Sequence, residues 1–294
     1  MSRLLPLFVI EVGLVLAWSS GYIGARLAAD TSSFLQVLLW RFLVVGLLLL
    51  PFVLGYARRA TLPEVGHHAL VGALAMFGFL VLGVAAIDLG VPPGTAALIA
   101  ASQPLMTAAL AGPVLGERVT GRQWLGVGIG LIGIAIAVGG EVGSAPPSGY
   151  LLSLLSTVSL VVATLIVKAK PQTTPLLPAL GIQSAVTALL LLPIALLENV
   201  RVDWHEAGFL WAVIWFVVFS TLGGYGFYWL CLRRSSATRV SSLIYLTPPV
   251  TMLWAWALFG QPVGIPAALG LLFCFVAVVL ARDRDEGEGA CRKA

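Results

Sequence analysis

Two charged residues of this chain stand inside long apolar stretches, where a charge is costly and a chemical role is therefore expected. Arg41 interrupts the segment LLWRFLVV, and Glu11 interrupts LFVIEVGLVL. The guanidinium could bind the carboxylate of a ligand, pair with an acidic residue to close a gate, or extend outward to water. The carboxyl could exchange protons if it is unpaired, or it could pair with Arg3 or a loop arginine at the rim of the apolar region.

Two prolines offer a second kind of chemistry, because a proline inside a helix removes one backbone hydrogen bond. Pro104 and Pro248 lie near the middle of apolar segments, where they would free the carbonyls of Ala100 and Ile244. Free carbonyls in an apolar surrounding are tolerated beside protein or a water-filled cavity. The polar neighbours of the two kinks therefore either line a central binding site or bond back to the local backbone; they are Ser102, Gln103, Tyr245 and Thr247.

Aromatic side chains near the same depth could hold the apolar part of a ligand. Trp18 and Tyr22 are one helical turn apart, so they can line one wall. Phe79 and Tyr225 lie at comparable depth in two later segments. The alternative for each is a core side chain whose polar group bonds a backbone carbonyl.

Motifs for enzymatic chemistry are absent from the sequence. It contains no G-x-x-x-x-G-K-[ST] loop for a nucleotide and no H-E-x-x-H zinc motif. Cys231, Cys274 and Cys291 lack metal or disulfide spacing, and His67, His68 and His205 are predicted to lie in loops. We therefore expect no catalytic residue, no metal, no cofactor and no contact with nucleic acid.

The elements that must position these residues are membrane-spanning helices. Apolar residues make up 59% of the chain and charged residues 10%, and the mean hydropathy is +1.00. A soluble domain is nearer half apolar and a quarter charged. Roughly ten apolar runs are long enough to cross a bilayer, at approximately 4–27, 33–54, 66–87, 92–114, 121–140, 148–168, 175–197, 207–230, 237–259 and 263–281. The sequence therefore predicts an all-α integral membrane protein with ten transmembrane helices.

The chain also contains an internal duplication. Residues 94–137 align with residues 238–281 at a constant offset of 144 positions, which places Pro104 on Pro248. Each copy would hold an odd number of spans, so the two copies must enter the membrane in opposite directions. We therefore predict two inverted five-helix repeats, at 1–143 and 144–281, followed by a charged tail at 282–294.

Charge and glycine placement predict the orientation and the assembly. Basic residues gather in alternate loops, which predicts that both termini are cytoplasmic; they are Arg58, Arg59, Arg118, Arg122, Lys168, Lys170, Arg233 and Arg234. Small residues on the fifth helix allow another helix to approach closely; they are Gly126, Gly130 and Gly133. This surface serves either internal packing or a dimer contact, so we expect a monomer or a weak homodimer.

Several of these segments resemble a known family when they are taken in order. The first helix reads WSSGYIGAR, the second contains WRF, and the fourth reads AALIAASQPLMTAALAGPVLGE. The second copy repeats this last pattern as SSLIYLTPPVTMLWAWALFGQP, although it has Gln261 where the first copy has Glu117. Together they resemble the EamA-type permeases of the drug/metabolite transporter superfamily across essentially the whole chain, and among them the aromatic amino acid and methionine exporters.

The resemblance implies a secondary transporter of the bacterial inner membrane that exports small metabolites. The candidate pocket is aromatic and rich in hydroxyls with at most one cation, which suits small amphipathic substrates such as amino acids. The alternative is efflux of drugs or other hydrophobic compounds by proton antiport, with Glu11 as the candidate for proton coupling. The partners expected are thus a small-molecule substrate and the lipid bilayer.

Overall fold

The structure, a computed structural model, describes residues 6–28, 33–138, 145–171, 173–197, 202, 206–260 and 265–281. The regular secondary structure of these residues is helical throughout, and its segments form ten rods in chain order. The rods are α1 (Leu7–Ala28), α2 (Phe34–Ala57), α3 (Leu62–Asp88), α4 (Pro93–Ala100 and Gln103–Leu115), α5 (Gly121–Val138), α6 (Pro147–Ala169), α7 (Leu176–Leu197), α8 (Ala207–Leu232), α9 (Ala237–Phe259) and α10 (Ile265–Ala281).

The outer surface of the bundle is apolar, as a lipid environment requires. Within the described part of the chain, eight rods, α1 to α4 and α6 to α9, are long and apolar enough to span a membrane. The rods α5 and α10 hold shorter apolar helices, at 121–136 and 268–280. Large apolar side chains such as Leu47, Leu189 and Phe275 are exposed on the outside. No core hides them, so they are suited to contact lipid chains.

Successive rods are joined by short connections, so neighbours in the chain run antiparallel. The bundle therefore has two ends. The α1–α2 end is the one at which α1 leads into α2, and the α2–α3 end is the one at which α1 begins and α2 leads into α3.

Local signals in the sequence set several helix boundaries. The side chain of Ser33 accepts a hydrogen bond from the backbone N–H of Gln36 and begins α2. At the start of α5, the backbone N–H of Thr120 donates to the side-chain oxygen of Gln123 at 2.8 Å, and the backbone N–H of Gln123 donates to the Thr120 hydroxyl at 3.3 Å, so the two residues form a capping box. The helices α4 and α9 both end on a glycine in the left-handed region, with φ of 70° and 65° at Gly116 and Gly260.

The helices α4 and α9 are interrupted at matching positions. The first segment of α4 stops at Ala100, and the second restarts at Gln103. In α9, a tight 3-10 turn occupies Ile244–Leu246. Both interruptions come just before the prolines singled out in the sequence, Pro104 and Pro248, because a proline lacks the N–H that a regular helix needs there.

The helices α3 and α8 contain π-helical stretches, at Ala73–Gly78 and Phe216–Tyr225. Side chains of neighbouring helices bond carbonyls in and beside the stretch in α3. The Ser159 hydroxyl of α6 donates to the carbonyl of Leu74 at 2.8 Å, and the Tyr225 hydroxyl of α8 donates to that of Ala75 at 2.8 Å. These bonds tie α3 to helices on both of its sides.

The helices pair in a pattern that repeats across the chain. Extensive contacts join α2 to α7 and α5 to α10, while α1 packs on α8 and α6 packs on α3. Glycines make the contact of α5 close. A Cβ atom added to Gly130 would lie 2.5 Å from the ring of Tyr245, and one added to Gly133 would lie 2.7 Å from Cβ of Phe273. These two glycines thus pack against α9 and α10 of the same chain.

A buried ion pair joins α1 to the first turns of α9. Nε of Arg239 lies 2.8 Å from a carboxylate oxygen of Glu11, and the two residues are 6% and 5% exposed. Among the described residues the partner of Glu11 is therefore a helical arginine and not the loop arginine that was expected, and Arg3 lies outside these residues. Tertiary packing of α1 on α9 creates this contact, and no local pattern in the sequence indicates it.

We expect the substitution Glu11→Gln to lower stability by about 3–5 kcal/mol, because it removes the negative charge that balances a buried guanidinium. The double substitution Glu11→Gln with Arg239→Gln should recover part of that loss, since neither charge is then buried alone. Thermal unfolding of the purified protein in detergent, arranged as a double-mutant cycle, measures the coupling. Strictly additive effects of the two substitutions would contradict the pairing.

Candidate functional site

A cavity of about 190 Å³ lies among α1, α2, α3 and α8, toward the α1–α2 end of the bundle. Its walls include four of the residues selected from the sequence, Trp18, Arg41, Phe79 and Tyr225. These residues come from four different helices and are far apart in the chain. Packing of α1 and α2 against α8 brings them together.

Arg41 is the charged group of this cavity, and it is only 1% exposed. Its Nε donates to the hydroxyl of Thr221 at 2.6 Å, and its Nη2 donates to the hydroxyl of Ser220 at 3.0 Å. The guanidinium carbon lies 4.8 Å from the ring centres of both Phe42 and Phe216. Hydroxyls and aromatic rings thus surround the charge, and in the part of the chain that the structure describes no carboxylate forms a salt bridge with it.

The interpretation of Arg41 as a side chain that extends outward to water does not fit this geometry. A guanidinium that reaches water would be partly exposed, and this one is enclosed and bonded to α8. A charge enclosed without a counter-ion is costly. The arrangement is suited to bind the carboxylate of a ligand that enters the cavity.

Trp18 forms the aromatic wall of the cavity. Its ring centre lies 5.3 Å from that of Tyr225, 5.1 Å from that of Tyr228 and 6.4 Å from that of Phe79. The hydroxyl of Tyr225 is committed to the carbonyl of Ala75, so the ring is the part of this residue that is offered to the cavity. The wall is suited to contact an apolar or aromatic group of a ligand.

A buried polar network lies behind the aromatic wall, where the ring of Tyr228 contacts Trp18. The Thr164 hydroxyl donates to the carbonyl of Leu160, so the Tyr228 hydroxyl must donate to Thr164, at 2.7 Å. The side-chain amide of Gln103 donates to Tyr228 at 3.2 Å. The helices α4, α6 and α8 meet in this network, and below it the hydroxyl of Ser241 on α9 donates to that of Thr107 on α4 at 3.1 Å.

Three residues beside the proline kinks do not line this cavity. The hydroxyls of Ser102 and Thr247 donate to the carbonyls of Ile99 and Ile244, each three residues earlier, at 2.6 and 2.7 Å. Tyr245 is buried in a separate cluster with α5 and α10, and its hydroxyl donates to the carbonyl of Val127 at 3.0 Å. Thr247 thus bonds the carbonyl that Pro248 frees, whereas Ser102 bonds the carbonyl of Ile99, and none of the three residues belongs to the walls of the Arg41 cavity.

The remaining expectations fall in other places. The side chain of Tyr22 lies outside the part of the structure that is described. Glu11 is paired with Arg239, which removes the unpaired carboxyl on which its proton-exchange interpretation was based. The loop prediction was wrong for His67 and His68, which lie in the first turns of α3, and His205 lies outside the described residues.

Sequence reasoning missed several residues of the site. Ser220, Thr221 and Phe216 contact Arg41 from the π-helical stretch of α8, whose register a regular helical pattern does not give. Thr164 looked like an ordinary residue of an apolar helix. The one available signal was the aromatic and glycine-rich segment GGYGFYWL of α8, which contains Tyr228.

Comparison with known proteins agrees with this architecture. The sequence profile of the EamA-like transporter family matches the chain twice, at residues 6–139 and 147–282. An uncharacterized inner membrane transporter of Escherichia coli K12, YedA, is 30% identical over 95% of this chain and 91% of its own length. A probable amino-acid metabolite efflux pump of Salmonella typhimurium is 26% identical over 84% of this chain and 85% of its own length.

A solved crystal structure also shares the fold, with a TM-score of 0.77 and 20% sequence identity. The match covers 94% of this chain and 96% of the other. The apolar helices and the inner membrane transporters among the relatives make this an integral protein of the inner membrane and a transporter, not an enzyme. Because the family profile covers nearly the whole chain in two matches, this chain belongs to the EamA-like transporter family.

Proposed function

We propose that the chain is a secondary transporter that exports small amphipathic metabolites, and in particular amino acids, from the cytoplasm. The observation that carries this proposal is the buried Arg41, which lies in an aromatic cavity without a carboxylate among the described residues to neutralise it. An amino acid would supply the carboxylate for Arg41. Its side chain would lie against Trp18, Phe79 and Tyr225.

The size of the cavity also favours a small substrate. Drug-sized ligands occupy pockets of roughly 300–1,000 Å³, whereas this cavity encloses about 190 Å³. A cationic drug would be repelled by the guanidinium of Arg41, and no carboxylate lines the cavity to attract it. Both features argue against the alternative of multidrug efflux.

We further propose that all ten rods cross the membrane, as two inverted repeats at 1–143 and 144–281. The pairing pattern supports this arrangement. If each helix is replaced by the one five places later or earlier in chain order, the α1–α8 contact becomes the α6–α3 contact. The interruptions of α4 and α9, their left-handed glycine ends and the π-helical stretches of α3 and α8 match in the same way. The charged tail, 282–294, lies outside the described residues.

The proposed mechanism is alternating access between these halves. The loop charges support a cytoplasmic location of both termini, and in this orientation the α2–α3 end faces the cytoplasm and the Arg41 cavity faces outward. The network of Gln103, Thr164 and Tyr228 and the Glu11–Arg239 pair then lie on its cytoplasmic side. Export requires these contacts to open and the contacts around Arg41 to close.

The Glu11–Arg239 pair offers a route for coupling to a proton gradient. A proton that binds Glu11 would neutralise the carboxylate and weaken its contact with Arg239, and this would release α1 from α9. Glu11 thus remains the candidate for proton coupling, through the opening of an ion pair and not as an isolated acid.

We expect Arg41→Gln to reduce the flux of amino acids at least about tenfold, because the charge-assisted bonds to the substrate carboxylate are lost. Arg41→Lys should retain part of the flux, and Arg26→Gln, which removes an exposed cation of α1, should leave it unchanged. The measurement is uptake in proteoliposomes with a panel of amino acids, amino-acid amides and flat aromatic cations, normalised to folded protein. Preferred transport of the aromatic cations, or full flux in Arg41→Gln, would reject the proposal.

We expect Trp18→Ala to lower transport by about tenfold at unchanged amounts of folded protein, because the aromatic wall is lost. Tyr245→Phe is the matched control. It removes the hydroxyl bonded to Val127, so it should lower the melting temperature while leaving transport per folded molecule intact. Equal losses of transport in both variants would show that Trp18 acts only through packing.

We expect Glu11→Gln to abolish any dependence of transport on a pH gradient, because an amide cannot take up the proton. Flux is compared in proteoliposomes with and without an imposed gradient, normalised to folded protein. The double variant with Arg239→Gln provides a second measurement in case the single variant is unstable. A gradient dependence that survives in both variants would assign Glu11 a purely structural role.

A further inference from the structure

A second cavity, of about 150 Å³, lies at the α2–α3 end among α3, α6, α7 and α8. Its lining includes four side chains that are cationic or can become so, His67, His68, Lys168 and Arg233. None of its lining residues is a carboxylate. The cavity therefore gathers positive charge that its own walls do not balance, and a bound anion would lower that electrostatic cost.

His68 is the residue that points most directly to a ligand. It is 4% exposed, and neither of its ring nitrogens has a hydrogen-bond partner. Buried polar groups are normally bonded, and an exception needs an explanation. In its neutral or its charged form the imidazole carries at least one N–H donor, so it can donate to an oxygen atom in the cavity.

The two nearby cations are held in place and have donors left over. The ammonium of Lys168 donates to the backbone carbonyls of Leu232 and Ser235, at 3.2 and 2.6 Å. The guanidinium of Arg233 donates to the carbonyl of Thr174 at 2.7 Å. Backbone carbonyls orient these groups without cancelling their charge. On α3, the helix of His68, the carboxylate of Glu64 is partly exposed and accepts hydrogen bonds from the backbone N–H and the hydroxyl of Thr61.

The position of this cavity relates it to the one around Arg41. Moving a helix by five positions converts α1, α2, α3 and α8, which line the first cavity, into α6, α7, α8 and α3, which line the second. The two cavities lie at opposite ends of the bundle. In the inverted arrangement they are lined by equivalent helices of the two halves. The first holds the buried Arg41, and the second holds the buried His68 beside Lys168, which is half-buried, and Arg233, which is exposed.

We propose that the second cavity is an anion-binding site that receives the carboxylate of the substrate on the cytoplasmic side, before it reaches the Arg41 cavity. The ligand class is a small carboxylate, bound by His68, Lys168 and Arg233. The role in transport rests on the function proposed above, but binding at this site can be tested without transport.

Histidine-selective labelling tests the site directly, because the chain has three histidines. The full-length protein, labelled with ¹⁵N-histidine and reconstituted in nanodiscs, is titrated with sodium acetate, and the His68 signals are assigned by their loss in His68→Gln. We expect a saturable change of the His68 signals with acetate. Lys168→Gln should weaken the apparent affinity about tenfold or more, since it removes one charge-assisted bond.

Three variants act as controls. Lys168→Arg should keep binding because it keeps the charge. If the loss of the two carbonyl contacts prevents Lys168→Gln from folding, Arg233→Gln removes a charge from the same cavity and should weaken binding in its place. Arg58→Gln removes an exposed cation at the same end, and Arg41→Gln removes the charge of the other cavity. Neither substitution should change the affinity for acetate at His68. No saturable change of the His68 signals, or equal affinity in Lys168→Gln and Lys168→Arg, overturns the proposal.

Two further titrations identify the source of the anion. A transported amino acid should compete with acetate at His68, whereas tighter binding of inorganic phosphate would overturn the assignment to a substrate carboxylate. Acetate binding with no amino-acid flux in proteoliposomes would reject the proposed function and leave the binding site standing. Amino-acid flux without acetate binding would reject the binding site and leave the proposed function standing.

Discussion

The structure depends on one constraint, which is that backbone groups in hydrocarbon must find their partners inside the protein. Regular helices meet this constraint by themselves, and this chain departs from regular helices in α3, α4, α8 and α9. At each departure for which a bond is known, a side chain takes the carbonyl. Thr247 serves Ile244 within its own helix, whereas Ser159 and Tyr225 serve α3 from neighbouring helices. The irregular segments are therefore where helices are joined to one another, and α3 and α8 line both cavities.

Buried charged groups must also find partners inside the protein, but Glu11 and Arg41 find partners of different kinds. Glu11 and Arg239 neutralise each other between α1 and α9. Arg41 is satisfied as a hydrogen-bond donor by Thr221 and Ser220, which are neutral, so its charge remains. A hydroxyl orients a guanidinium without offsetting its charge, and a ligand carboxylate would do both. This difference separates an ion pair that holds helices together from a cation that, under the proposed function, would bind the substrate carboxylate.

The sequence predicted the helices far better than it predicted the site. Hydropathy located all ten rods within a few residues, and Pro104 and Pro248 located the interruptions, because both signals act through the local backbone. Trp18, Arg41, Phe79 and Tyr225 could be selected as candidates because an aromatic or charged residue at membrane depth is unusual wherever it occurs. The backbone partners of Ser102, Thr247 and Tyr245 could not be read from the sequence, because polarity near a kink does not tell which way a side chain turns. The contacts of Arg239 and Ser220 depend on which helices meet, and that information is not local.

The duplication explains why the two ends of the bundle resemble each other in form and differ in chemistry. Gene duplication preserves the backbone features that packing requires, so the kinks, the glycine ends and the π-helical stretches recur. Side chains that face a cavity are free of that requirement. Position 41 holds an arginine, and its equivalent in the second half, Ala185, holds no charge. The cations of the second cavity come instead from His68 on α3, Lys168 on α6 and Arg233 beyond α8. Under the proposed mechanism, two cavities with different cations would bind the same carboxylate with different affinity.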